Sequence, residues 1–94
     1  MPTKLSNQEI QNQLGSLEDW RFIENAIHKT FTLSTFPNAI EFVRKVADLA
    51  ETERHHPDFL IQYNKVTLTL STHSVGGVSE KDMEMAGKID GLDG

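Results

Sequence analysis

Val66-Thr67-Leu68-Thr69-Leu70-Ser71-Thr72-His73 alternates without error, and no other stretch restricts the fold as much. Successive side chains of a strand point to opposite faces. With Val66, Leu68 and Leu70 on one side and Thr67, Thr69, Ser71 and His73 on the other, the run predicts a strand with one apolar and one polar face. The segment before it, Asp58-Phe59-Leu60-Ile61-Gln62-Tyr63, reads as a second strand, and Asn64-Lys65 as the turn of a hairpin. A further hairpin is expected upstream, strand Trp20–Glu24 and strand Ile27–Leu33, turning at Asn25 or Ala26.

Three stretches carry helical signals. Ser6 and Glu9 have the spacing of a capping box, with Leu5 and Ile10 as its hydrophobic staple and Gly15 as terminator. Thr35-Phe36-Pro37 opens the clearest helix, in which Ala39, Phe42, Val43, Val46, Leu49 and Ala50 recur every three or four residues. It should stop near Arg54, because Pro57 pushes the residue before it out of helical geometry. Ser79 opens the last helix with Asp82 at the third position, Val78 and Met83 as a staple, and Met85, Ala86, Ile89 and Leu92 as the buried stripe. The predicted order is α-β-β-α-β-β-α: an α+β fold, a four-stranded antiparallel sheet with three helices packed on one face. Its two open edges favour pairing between subunits, so an oligomer is expected.

Composition narrows the function. Residues 1–94 read as a single domain, too short for two cores. There is no cysteine, which removes thiolate nucleophiles and thiolate metal sites. The N-terminal residues lack the pattern of a signal peptide and no apolar run is long enough for a membrane span, so a cytoplasmic protein is expected. A net charge of -5 argues against a nucleic-acid surface and favours a neutral ligand.

Chemistry is concentrated in Glu51-x-x-x-His55-His56-Pro57 and Thr72-His73. An unperturbed imidazole titrates at roughly 6.5 and can give and take protons near neutrality. Helical spacing puts Glu51 and His55 on one face. The bland reading of a lone histidine is a satisfied strand or surface residue, and it is adopted for His28. The two His segments adjoin turns that can converge. His55, His56, His73 and Glu51 have the residue types of a zinc site, but adjacent histidines diverge at a helix end, so no metal is expected. Asp82 has a structural role as the capping-box partner of Ser79. Trp20 and Tyr63 suit a core or a cleft wall.

In combination, Glu51-x-x-x-His55-His56-Pro57, Tyr63-Asn64-Lys65-Val66 and Thr72-His73-x-x-x-Gly77-x-Ser79-x-x-Asp82 resemble the signature of the pterin-4a-carbinolamine dehydratases. The resemblance implies dehydration of a 4a-hydroxytetrahydropterin to quinonoid dihydropterin and water, which recycles the tetrahydrobiopterin-type cofactor of aromatic amino acid hydroxylases. It implies no metal and no organic cofactor, and a homodimer or homotetramer. Carried over by position, His55, His56 and His73 are the catalytic candidates, with Glu51 and Asp82 as supporting acids. Trp20, Pro57 and Thr72 are candidates for substrate contact. The expected roles are His55 and His73 exchanging protons, Glu51 orienting His55, His56 binding substrate, and Asp82 supporting His73 or its loop. Two alternatives stand beside this: a non-enzymatic module that stabilises dimers of a transcription factor, and a related activity on another pterin.

Overall fold

The computed structural model describes residues 3–93, in the order α1 (Asn7–Leu14), β1 (Arg21–Ile23), β2 (Ala26–Thr32), α2 (Phe36–Glu53), β3 (Asp58–Gln62), β4 (Lys65–Leu70) and α3 (Glu80–Asp93). The expected α+β architecture is present. The strands form one antiparallel sheet in the order β1-β2-β4-β3, so β1 and β3 are its edges. Ile27 and Phe31 of β2 and Val66, Leu68 and Leu70 of β4 face the helices and are buried. They pack with Phe42 and Val46 of α2 and with Met85, Ala86 and Ile89 of α3 in one core. Leu68 has no exposed surface; its truncation to alanine would cost about 2–5 kcal/mol. The opposite face is polar, with Thr30 and Thr67 hydroxyls 2.8 Å apart and His28 bonded to Thr69 and to the Ile23 carbonyl.

The helix starts follow their caps. Ser6 and Glu9 form both halves of the capping box, and the Ser6 N–H that Glu9 accepts, with the Ser6 hydroxyl, holds the Glu9 carboxyl below the ordinary glutamate range. Thr35 caps α2 through the Asn38 N–H. α2 ends at Glu53, where Arg54 takes a left-handed backbone (φ 54°) and the His55 N–H returns to the Ala50 carbonyl 3.1 Å away. That left-handed residue with a backward bond terminates a helix firmly.

Both hairpin turns differ from expectation. Ile23 pairs with Ala26, so Glu24 and Asn25 are the turn rather than strand end and turn, both with positive φ (50° and 64°). This conformation matches the right-handed twist of the flanking strands, and that fit overrides the reluctance of glutamate to adopt it. Gln62 pairs with Lys65, so the second turn is Tyr63-Asn64 and Lys65 belongs to β4. Asn64 anchors it by donating its side-chain amide to the Leu33 carbonyl and accepting the Leu33 N–H. The last alternating strand also stops early: β4 ends at Leu70, and His73 opens a short 3₁₀ turn closed by Gly76 in the left-handed region (φ 69°).

Candidate active site

The end of α2, the start of β3, the segment after β4 and the first turn of α3 meet around one cleft. Arg54, His55, His56, Pro57, Asp58, Ser71, Thr72, His73, Ser74 and Lys81 line it. Its volume of about 450 Å³ is in the range that takes a small heterocyclic ligand. The three histidines expected to converge do line a single site. Pro57 is part of the wall. Trp20 is not.

Beneath the cleft lies a buried polar cluster. Asp82 has no exposed surface, nor has Ser79, and Thr72 is 5% exposed. Asp82 Oδ1 lies 2.5 Å from His55 Nε2. Its Oδ2 accepts from the Thr72 hydroxyl at 2.8 Å and from the Ser79 N–H at 2.9 Å. The carboxyl group thus has three partners, two of them donors to Oδ2, and sits in the first turn of α3, where the helix dipole also favours negative charge. No buried polar side-chain atom among the described residues lacks a partner. An unpaired carboxyl here would carry a large desolvation penalty, so the cluster only works complete.

Two expected pairings are corrected. Glu51 was expected to orient His55 across one helical turn; it bonds His56 instead, Oε2 to Nε2 at 2.5 Å. The reason is Arg54: its left-handed backbone rotates the chain after α2, so the helical i, i+4 relation no longer applies to His55. Asp82 was expected to support His73 or its loop; it makes no bond to His73 but holds His55 through Oδ1, and it reaches the loop through the Thr72 hydroxyl that precedes His73. The two pairs differ in setting. His55 and Asp82 side chains are 13% and 0% exposed, His56 and Glu51 61% and 78%. An exposed pair of that kind contributes little. His73 is exposed and makes no side-chain hydrogen bond among the described residues.

Two substrate-contact candidates also change character. Trp20 is 5% exposed, packs edge-on against Phe31, and donates its indole N–H to Asp90 at 3.1 Å. Asp90 in turn holds Lys29 at 2.8 Å, a clamp between β2 and α3. Thr72 lines the cleft but turns its hydroxyl inward to Asp82 and Ser79. Sequence reasoning missed Ser79 as part of the site, and it missed Arg54, Asp58, Ser71, Ser74 and Lys81 as cleft lining. Among the described residues no group of three His, Asp or Glu side chains is arranged to hold a metal ion, and no helix is long and apolar enough to cross a membrane.

Residues 3–92 match the family model described as Pterin 4 alpha carbinolamine dehydratase. A relative from Sulfolobus acidocaldarius, provisionally named pterin-4-alpha-carbinolamine dehydratase, is 49% identical over 86 residues, 92% of this chain and 94% of its own. One from a Roseiflexus species, under the same provisional name, is 51% identical over 90 residues, 96% of this chain and 97% of its own. A crystal structure from Brucella melitensis, described as a transcriptional coactivator/pterin dehydratase, superposes with a TM-score of 0.94 at 35% identity. It covers 98% of this chain and 100% of that one.

Proposed function

Because this chain belongs to the pterin-4a-carbinolamine dehydratase family, we propose that it dehydrates a 4a-hydroxytetrahydropterin to the quinonoid dihydropterin. In that reaction the C4a–O bond breaks and the leaving oxygen takes a proton to become water. A ring N–H gives up a proton as its electron pair closes the C=N bond. No electrons are gained or lost overall, so two proton-transfer groups suffice. His55 and His73 fill those roles, His56 binds substrate, and the Pro57 wall supports the ring.

The observation that carries this reading is the pairing of His55 with a fully buried Asp82 at the floor of a cleft that His56 and His73 also line. A carboxylate behind an imidazole holds the ring in one orientation, and acid–base catalysis by such groups contributes about 10²–10⁴-fold. The recycling of a tetrahydropterin for an aromatic hydroxylase is the physiological setting we propose. The test is stopped-flow absorbance of chemically generated 4a-hydroxytetrahydropterin with and without the protein, followed to the quinonoid product.

We also propose that the working form is a homo-oligomer. On the edge strand β3, Phe59, Leu60 and Ile61 are 37%, 54% and 39% exposed, an apolar edge with unpaired backbone groups. A second copy would cover it. The competing reading is a protein-binding module without catalysis, in keeping with the double description of the Brucella structure. A docking surface has no need of a buried carboxylate behind one histidine, which is why the enzymatic reading is preferred.

A further inference from the structure

The cluster under the cleft has a direction, and it bears on the state of the catalytic ring. The Thr72 hydroxyl carries one hydrogen, and it goes to Asp82 Oδ2. The 2.7 Å contact between Thr72 Oγ1 and Ser79 Oγ must then be donated by Ser79. Ser79 Oγ in turn accepts the Lys81 N–H at 3.3 Å. The bonds run one way: Lys81 N–H to Ser79 hydroxyl, to Thr72 hydroxyl, to Asp82. The Ser79 N–H arrives at the same oxygen by a second route.

Two donors on Oδ2 favour an ionised Asp82, which accepts at Oδ1 as well and so takes the bond to His55 from Nε2–H. We infer that the hydroxyls of Thr72 and Ser79 act through Asp82 to fix His55 in its Nε2–H tautomer, leaving Nδ1 as the ring nitrogen that exchanges a proton with substrate. The other tautomer needs a protonated Asp82 donating from Oδ1, which the convergent donors oppose. Chains of hydrogen bonds that all point one way reinforce one another. The tautomer of a working histidine is set by what its other nitrogen binds. Thr72 and Ser79 are therefore positioning residues: Thr72 borders the cleft, but both hydroxyls point inward and act on the substrate only through Asp82 and His55. The assignment of Nδ1 to proton transfer rests on the dehydratase reading; the tautomer and its control by Thr72 do not.

The test is nitrogen NMR of the His55 ring in the whole protein above the imidazole titration range, alongside kinetics. The expected wild-type signature is pyrrole-like Nε2 and pyridine-like Nδ1. Thr72→Val removes the donor at nearly constant volume; it should shift His55 toward the Nδ1–H form and lower kcat about tenfold or more, with KM changed less than about threefold. Thr72→Ser restores the hydroxyl and should restore both readouts. A wild-type ring protonated at Nδ1 overturns the inference without any variant, whatever the folding of Thr72→Val. So does an unchanged ring signature in folded Thr72→Val. A protein with the expected signature but no dehydratase activity overturns the functional reading instead.

Discussion

His55 Nε2 and Asp82 Oδ1, 27 residues apart in the chain, meet at 2.5 Å and tie the end of α2 to the first turn of α3. The contact makes one carboxylate serve two purposes. Asp82 closes the cap of α3 through the Ser79 N–H, and it holds the ring at the floor of the cleft. Folding the last helix therefore assembles the candidate site.

Replacing Asp82 with Asn should separate the two purposes. The amide oxygen can keep the Ser79 and Thr72 donors, but the amide nitrogen then donates toward His55 and forces the opposite tautomer. We expect kcat/KM to fall about 10²–10⁴-fold with the fold retained, measured by kinetics and thermal unfolding. Asp82→Ala, which strands the donors, should in addition destabilise by about 1–3 kcal/mol for each unsatisfied group.

Glu51→Gln should do far less. Its partner is the exposed His56, and such pairs are worth no more than about 1 kcal/mol. The expected loss in kcat/KM is at most about fivefold, that energy expressed as a rate. A loss as large as that of Asp82→Asn would mean that Glu51 governs His55 after all.

Trp20→Phe should alter stability rather than substrate handling. The change removes the indole donor to Asp90 and some core area, about 1–2 kcal/mol by denaturant unfolding. KM should stay within about twofold. A several-fold rise in KM with stability unchanged would put the indole back at the substrate.

Leu60→Glu places a charge on the exposed β3 edge, where like charges on facing copies repel. Sedimentation should show the wild type as an oligomer and the variant shifted to monomer. A wild type that is already monomeric at micromolar concentration contradicts the proposed assembly.

Much of the architecture was legible because it rests on local regularities. The alternation from Val66 to Leu70, the Ser6–Glu9 box and the stripe from Ala39 to Ala50 each specify one element. The turns were less so: Glu24 and Tyr63 adopt positive φ (50° and 56°) for reasons of sheet twist and pairing, which their side chains do not announce. The convergence of His55, His56 and His73 on one cleft was legible, but not their partners: Glu51 meets His56 rather than His55, and Asp82 meets His55. A single left-handed residue, Arg54, breaks the helical phase on which the Glu51–His55 pairing relied, and the phase of α3 relative to α2 is a tertiary property. One signal was available and unused. Thr72 shares the parity of Leu70 and Leu68, so its hydroxyl was bound to turn inward, where a buried hydroxyl needs a partner.

The most direct measurement is the rate of 4a-hydroxytetrahydropterin dehydration by stopped-flow absorbance, comparing wild type, His55→Ala and His73→Ala as folded proteins. The account predicts saturable acceleration by the wild type, with kcat/KM falling at least about tenfold in each variant. No acceleration by folded wild type, or both variants within about threefold of it, would contradict it.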